Sequence, residues 1–201
     1  MRLLIAALIL SLPVLAQAGA QKYEPLSASV QAALSRSVSD RAPPNSSFQD
    51  SLQAIDWLSE MSERLQKRIP ERETRLDFLR AVHYEATRAG LDPQLVLGLI
   101  QVESRFNKYA VSSAGARGFM QVMPFWLKVI GGPEDNLFHL RTNLRYGCTI
   151  LRHYLDIERG DLYRALGRYN GSLGRPQYPN LVRSAWVNQW TYHRNYKLAM
   201  R

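Results

Sequence analysis

Residues 92–124 read DPQLVLGLIQVESRFNKYAVSSAGARGFMQVMP, and the first third of this stretch decides the kind of fold. Asp92 is a typical N-cap residue and Pro93 suits the first helical turn, so a helix is predicted to begin here. The apolar residues of this helix recur at steps of three and four, which places them on one face. They are Leu95, Val96, Leu99 and Ile100. Glu103 ends the same stripe, so its carboxyl group is predicted to face the protein interior or a cleft.

The position of Glu103 predicts an unusual carboxyl group. Burial disfavours the charged form, so the pKa of Glu103 is expected to lie above its ordinary value. A carboxyl group that stays protonated near neutral pH can donate a proton to a glycosidic oxygen. The alternative is a buried structural ion pair with Arg105 or Arg117, which are both nearby in the sequence. Periodicity alone does not separate these two interpretations.

Helical patterns extend on both sides of this segment. Upstream, residues 48–65 and 76–86 carry apolar side chains at steps of three and four. The first of these stripes consists of Phe48, Leu52, Ile55, Leu58, Met61 and Leu65. Downstream, further helices are predicted over 143–157, 161–169 and 180–192. Because no run of alternating apolar and polar residues predicts a sheet, the fold class is predicted to be mainly α.

The N-terminal part of the chain predicts export and one folded domain. Residues 1–20 combine Arg2, an apolar run and a small-residue site at 16–18, which is the layout of a cleaved signal peptide. The apolar run is shorter than the roughly 20 residues of a membrane span, so no span is expected after cleavage. Residues 21–46 contain few large apolar side chains and are predicted to be a linker or mobile arm. One domain is expected over 47–201.

The charge and the cysteine count narrow the classes of partner and cofactor. A net charge of +9 favours an anionic partner, but export and the absence of a nucleic-acid-binding motif argue against nucleic acid. An anionic cell-wall polymer fits better, and a merely solubilising charge is the alternative. The lone Cys148 forms no intramolecular disulfide, and the four His residues lack metal-ligand spacing. We therefore expect no metal and no other cofactor.

Four groups of residues follow one another along the chain: Glu103-Ser104, the segment 118–124, Asn143 with Gly147, and Tyr169-Asn170. In this order and spacing they resemble the soluble lytic transglycosylase family, whose fold is similar to goose-type lysozyme. The resemblance covers roughly residues 91–182 and implies a lysozyme-like (goose-type) helical domain. Two departures stand out: Phe119 replaces the usual Leu, and Arg168 stands where a small residue usually precedes Tyr-Asn.

The resemblance implies a role for each matched residue. Glu103 becomes the catalytic acid and base. The residues implied to bind the substrate are Ser104, Ser112, Met120, Gln121, Tyr169 and Asn170. For Met120, packing in the core is the alternative. Tyr178 is a further substrate-binding candidate through its match to a downstream Tyr of the family.

The function that this resemblance implies is peptidoglycan lytic transglycosylase activity in the periplasm. The expected substrate is the β-1,4 bond between N-acetylmuramic acid and N-acetylglucosamine in the glycan strands, and the expected product is a 1,6-anhydromuramoyl end. One carboxyl group suffices, because the acetamido group of the substrate can stabilise the sugar cation. Two alternatives remain open, a lysozyme-like hydrolase at the same site and a non-catalytic peptidoglycan-binding component of an envelope-spanning machine. A secretion or pilus machine is a further candidate partner.

Overall fold

The computed structural model describes residues 21–39, 48, 51–132 and 134–192, and within them the chain is almost entirely helical. The helices are α1 (Ala28–Ser39), α2 (Ser51–Leu65), α3 (Arg72–Arg88), α4 (Pro93–Ser104), α5 (Phe125–Ile130), α6 (Leu140–Ile157), α7 (Leu162–Asn170), α8 (Gln177–Ala185) and a π-helical turn (Trp186–Trp190). Extended pairing in the described residues is limited to two isolated bridges within 111–122. The prediction of a mainly α fold is confirmed.

Helix α4 is the central element. As predicted, Asp92 caps it by accepting a hydrogen bond from the backbone N–H of Gln94 (2.7 Å), and Pro93 is its first residue. Helices α3 and α8 and the π-helical turn pack around it. A Cβ atom at Gly98 would lie 2.8 Å from the backbone nitrogen of Trp186. Glycine at this position therefore permits the close approach of α4 and the π-helical turn.

A network of polar side chains joins helices α1, α3 and α6. Glu85 of α3 and Arg145 of α6 form a buried ion pair with an N–O distance of 2.9 Å. Arg88 donates to Glu85 (3.1 Å) and also to the backbone carbonyl of Ser37 in α1 (2.8 Å). Because the charges of a buried pair are costly to leave unmatched, Glu85 and Arg145 hold α3 and α6 together. The exposed hydrogen bond from Arg88 to Ser37 adds a contact with α1.

Helix α1 corrects the prediction of a linker over residues 21–46. Leu34 and Val38 are buried, and α1 packs against α5 and α6. The side chain of Gln31 also donates a hydrogen bond to the carbonyl of Val129 (2.7 Å). Val30, Leu34 and Val38 recur every four residues, but the small and polar residues between them obscure this pattern in the sequence. The linker interpretation is therefore wrong for residues 21–39, and the folded part of the chain begins before residue 47.

Helix α2 ends at Leu65, where the apolar pattern over 48–65 also ends, but its buried face differs from the predicted stripe. Leu52 and Ile55 are 66% and 62% exposed. Trp57 is buried instead and lies 5.7 Å, between ring centroids, from Phe48. The last two residues of the predicted stripe, Met61 and Leu65, are fully buried. Only the C-terminal part of α2 thus buries the apolar face that its periodicity predicts.

Two predicted segments fall on parts of the chain without a described structure. The predicted signal peptide, residues 1–20, and the end of the predicted linker, residues 40–46, lie outside the described residues. Among the helices that are described, none combines the length and apolar character needed to span a bilayer.

We expect substitution of Leu34 by Ala to lower the free energy of unfolding by about 2 kcal/mol or more, because it removes buried apolar contacts between α1 and the rest of the domain. Arg36→Ala, on the exposed side of the same helix, is the matched control and is expected to change stability by less than about 0.5 kcal/mol. Urea denaturation of the two variants measures the difference. Equal stabilities for both variants and the wild type would contradict the observed packing of α1.

Candidate active site

Glu103 lies in the last turn of α4, and only 6% of its surface is exposed. Burial raises the pKa of its carboxyl group from 4.5 to about 8, although a hydrogen bond from Tyr178 opposes part of this rise. In that bond, the hydroxyl of Tyr178 donates to Oε1 of Glu103. Within the described part of the chain, Oε2 is buried and has no hydrogen-bond partner. One oxygen of a largely protonated carboxyl group is thus held in place, and the other is unengaged.

The ion pair considered as the alternative role of Glu103 is not observed. Arg105 and Arg117 are both exposed, and the guanidinium of Arg117 lies over the ring of Phe138 at 5.9 Å from its centroid. No basic side chain of the described residues forms an ion pair with Glu103. Among the described residues, the hydrogen-bond donor to this buried carboxyl group is the phenol of Tyr178.

Tyr169 lies close to the same carboxyl group. Burial, and then the charge of Glu103, raises the pKa of its hydroxyl well above the ordinary value of 10. The hydroxyl of Tyr169 donates to the backbone carbonyl of Met120 (2.8 Å). The same two causes raise the pKa of Tyr178. Both phenols are therefore neutral hydrogen-bond donors at physiological pH.

The loop after α4 is ordered by two predicted site residues. Gln121 is buried in a left-handed backbone conformation (φ 49°), and its side-chain nitrogen donates to the carbonyls of Ala110 (3.1 Å) and Gly118 (3.0 Å). Ser112 accepts a hydrogen bond at Oγ from the backbone N–H of Ala116 (3.1 Å). These observed bonds are made within the loop, so both side chains shape the segment that follows the acid.

Three further predicted site residues are also engaged locally. Ser104 donates from Oγ to the carbonyl of Ile100 one turn earlier in α4 (3.2 Å). Asn170 donates from its side chain to Oγ of Ser172 (3.1 Å), and its Oδ1 is buried with no partner among the described residues. The side chain of Met120 is fully buried, in accord with the packing alternative. The observed contacts thus join Glu103 directly to Tyr178, and join Tyr169 to the carbonyl of Met120.

Asn143 supports this arrangement, although no role was predicted for it. It is fully buried on α6 and accepts a hydrogen bond from the backbone N–H of Met120 (2.8 Å). Its side-chain nitrogen donates to the carbonyls of Arg117 and Leu137, each at 2.8 Å. Asn143 therefore fixes the backbone that receives the Tyr169 hydroxyl. The sequence signal for this role was the position of Asn143, a polar residue on the buried face of α6, four positions before Gly147.

Two other contributions explain how the chain builds this site. A Cβ atom at Gly147 would lie 2.4 Å from Sδ of Met120, so glycine there makes room for the methionine. Gln21, from the predicted linker, is buried and accepts a hydrogen bond at Oε1 from the indole N–H of Trp126 (3.0 Å). No periodic pattern includes Gln21, so its position was not predictable from the sequence.

The acidic residues that follow Glu103 mostly have structural partners. Asp135 accepts hydrogen bonds from Tyr146 (2.6 Å) and from the backbone of Gly132 (2.9 Å). Asp161 caps α7 by accepting a hydrogen bond from the backbone N–H of Arg164. Asp156 pairs with Arg152, while Glu158 pairs with Arg164 and Arg168. These contacts leave Glu103 as the buried carboxyl group with a raised pKa beside two tyrosines.

Comparison with known proteins gives consistent matches. Residues 80–181, about half of the chain, match the family described as the transglycosylase SLT domain. A transglycosylase of Enterobacteria phage PRD1 is 33% identical over 103 residues, which cover 51% of this chain and 38% of the phage protein.

Two bacterial relatives bear the name membrane-bound lytic murein transglycosylase C. The protein from Glaesserella parasuis serovar 5 (strain SH0165) is 37% identical over 113 residues, or 48% of this chain and 31% of the relative. The protein from Histophilus somni (strain 2336) is 40% identical over 92 residues, or 39% of this chain and 25% of the relative. The matches thus span between a quarter and two fifths of the relatives' own length. The family match and the geometry around Glu103 agree, and the chain belongs to the SLT transglycosylase family.

Proposed function

We propose that this chain is a peptidoglycan lytic transglycosylase and that Glu103 is its general acid and base. The observation that carries this proposal is the state of the Glu103 carboxyl group, which is buried and has a pKa of about 8. Oε1 accepts a hydrogen bond from Tyr178, and Oε2 has no hydrogen-bond partner among the described residues. A carboxyl group in this state can donate a proton near neutral pH and afterwards accept one. Family membership supports peptidoglycan as the substrate.

The proposed reaction uses the same carboxyl group twice. Glu103 first donates its proton to the bridging oxygen between N-acetylmuramic acid and N-acetylglucosamine, and the bond from the muramoyl C1 to that oxygen breaks. The carboxylate then accepts the proton of the muramoyl 6-hydroxyl, whose oxygen bonds to C1. The product is a 1,6-anhydro ring, and Glu103 is protonated again. The hydrogen bond from Tyr178 stabilises the carboxylate between the two steps.

A single carboxyl group is sufficient for this route. Most glycosidases pair two carboxyl groups, but the acidic residues that follow Glu103 mostly cap helices or form ion pairs. In the proposed reaction the acetamido group of the substrate stabilises the sugar cation. The resemblance makes Asn170 a candidate to bind the sugar, and its buried Oδ1 has no hydrogen-bond partner among the described residues.

Product analysis tests the proposal directly. Purified sacculi are digested with the protein, and the released muropeptides are analysed by mass spectrometry. The proposal predicts anhydromuramoyl products. Products heavier by one water would instead identify a hydrolase, and no release by the folded protein would identify a non-catalytic peptidoglycan-binding component.

We expect turnover of peptidoglycan to fall as the pH rises through about 8. The pKa of Glu103 is raised, so the proton that it donates is present below this pH and lost above it. Measurement of kcat/KM from pH 5 to 10 on soluble glycan strands checks the result. A profile that is flat from pH 7 to 10 would contradict the role of Glu103 as the acid.

Tyr178→Phe is expected to lower turnover roughly tenfold, because a hydrogen bond to a charged group contributes about 1.5 to 3 kcal/mol. Loss of this donor also raises the pKa of Glu103 further, so the alkaline limb of the pH profile should move to higher pH. Tyr163→Phe is the matched control. Tyr163 lies on the exposed side of α7, and the substitution removes a hydroxyl that is hydrogen-bonded to Asn180. An unchanged pH profile in Tyr178→Phe would argue against this function of the hydroxyl.

We also infer that the protein acts in the cell envelope and, after signal cleavage, in the periplasm. The names of the bacterial relatives support an envelope location. One relative, named transglycosylase, comes from a phage, and a secretion or pilus machine stays a candidate partner beside general wall turnover. Fractionation of cells that express the tagged protein tests the location, and a cytoplasmic signal would overturn it.

A further inference from the structure

A cavity of about 330 Å³ lies between the N-terminal segment, α6, α7 and the loop that follows α7. The side chains that matter for its chemistry are Lys22, Glu24, Tyr154, Arg168, Ser172 and Arg175. Its volume is in the range of pockets that accept small ligands. None of these residues takes part in the proposed reaction, so the cavity is distinct from the group around Glu103.

The cavity adjoins the part of the chain expected to contact the sugar. Asn170 ends α7, and the backbone turns at Gly171 in a left-handed conformation (φ 73°). Ser172, which lines the cavity, accepts the hydrogen bond from the side chain of Asn170 (3.1 Å). Residues two positions apart are only about 7 Å apart even in an extended chain. A substituent on a bound sugar near Asn170 is therefore within reach of the cavity.

The charges around the cavity are unequal. Arg168 forms ion pairs with Glu24 (3.1 Å) and with Glu158, so its charge is neutralised and its side chain is held in the wall of the cavity. Lys22 and Arg175 are exposed, and neither forms an ion pair with an acidic residue in the described ranges. The cavity thus carries two positive groups that no acidic residue of the described ranges neutralises. Such a pair favours a ligand that bears carboxylates.

The position of Lys22 is fixed by its neighbours. Gln21 is anchored to the indole of Trp126 (3.0 Å), and the ring of Tyr23 meets the ring of Phe125 edge to face at 5.7 Å between centroids. Glu24 is bound to Arg168. Because residues on both sides of it are held, Lys22 stays at the rim of the cavity. Residues 21–24 lie outside the 80–181 range that matches the family, so this cavity is partly built by a segment that the family match does not cover.

From these observations we infer that the cavity binds the carboxylates of the stem peptide attached to the muramoyl residue of the substrate. This inference rests on the proposed function, because it assumes that a peptidoglycan strand occupies the site beside Asn170. In peptidoglycan the peptide is joined to the lactyl group of the muramoyl residue and carries free carboxylates. A strand positioned at Asn170 brings this peptide to the opening of the cavity, where Lys22 and Arg175 pair with it.

The test compares glycan strands that carry stem peptides with the same strands after an amidase has removed them. The double variant Lys22→Ala/Arg175→Ala is expected to lose about fivefold or more in kcat/KM on peptide-bearing strands, as two exposed charge pairs would. On peptide-free strands it is expected to stay within about twofold of the wild type. Lys67→Ala/Arg36→Ala removes two exposed positive charges away from the cavity and is the matched control. Equal losses on both substrates, or no loss on either, would overturn the inference.

A binding measurement separates this inference from the proposed function. Free stem peptide with its carboxylates intact, and the same peptide with its carboxylates amidated, are titrated into each protein and followed by NMR. The inference predicts shifts around Lys22 and Arg175 for the acidic peptide in the wild type, and a clear loss in the cavity variant and with the amidated peptide. Equal binding by both proteins, or no binding by the wild type at millimolar concentration, overturns the inference. If strands are not cleaved at all, the proposed function fails, and this binding result still decides whether the cavity recognises the peptide.

Discussion

Glu103→Gln is expected to lower peptidoglycan turnover by roughly 10²- to 10⁴-fold, the usual cost of losing a general acid. The amide has nearly the same shape as the carboxyl group and can still accept the hydrogen bond from Tyr178, but it has no acidic proton to donate. Release of muropeptides from sacculi measures the loss. Glu134→Gln, which changes an exposed carboxylate, is the matched control and should retain full activity.

The same substitution is expected to stabilise the folded protein at neutral and alkaline pH. The pKa of Glu103 is about 8 in the folded state and near 4.5 when exposed, so the folded wild type loses stability as the pH rises from 4.5 to 8. The gain of Glu103→Gln over the wild type should therefore grow by about 1.4 kcal/mol for each pH unit in this window. Thermal unfolding at pH 5 and pH 8 gives this difference. A gain that does not increase between these two pH values would contradict the burial of a neutral carboxyl group.

Asn143→Ala should lower the free energy of unfolding by roughly 2 kcal/mol or more, because it leaves the buried N–H of Met120 and the buried carbonyl of Leu137 without partners, each costing about 1 to 3 kcal/mol. It also removes one of the two hydrogen bonds to the carbonyl of Arg117, which still accepts from the backbone N–H of Val122 (3.0 Å). The lost bonds hold the loop that carries Met120, so the hydroxyl of Tyr169 also loses a fixed acceptor. We therefore expect lower turnover even at temperatures where the variant is folded. Urea denaturation and sacculus digestion measure the two effects.

Asn136→Ala is the control for this variant. Asn136 accepts one exposed hydrogen bond from the backbone of Phe138 (2.9 Å), so its loss should cost about 1 kcal/mol or less. If the two asparagine variants unfold at the same urea concentration, the three bonds made by Asn143 do not stabilise the loop as described.

The central part of the fold was predictable because its sequence signals are local. The cap at Asp92, the proline at the first turn and the apolar stripe that follows define α4 without reference to distant residues. Helix α1 gave a weaker signal, since its buried residues are separated by serine and alanine. Its stability depends on contacts with α5 and α6, which no local pattern shows. For the same reason, the stripe predicted for α2 is buried only where α3 covers it.

In the candidate site, too, features with a local sequence signal were predictable, and contacts between distant residues were not. Glu103 was singled out because a carboxyl group ends an apolar stripe, and the family resemblance then favoured the catalytic interpretation over an ion pair. The structure gives that residue a raised pKa. The contact between Tyr178 and Glu103 joins residues 75 positions apart in the chain, so sequence spacing alone could not establish it. The bonds of Ser112 and Gln121 to nearby backbone could not be predicted either, because the same side chains are equally suited to binding sugar. Their roles as substrate ligands stay predictions.

The anchoring of the N-terminal segment has a consequence for how such proteins diverge. The stretch shared with the family begins at residue 80, yet Gln21 completes the environment of Trp126, and Ser37 is tied to Arg88. The range that matches the family is thus smaller than the unit that folds. A protein that exchanged this range for another would also have to replace the residues that α1 covers. The segment before residue 80 can therefore diverge only in ways that preserve its contacts with the range that matches the family.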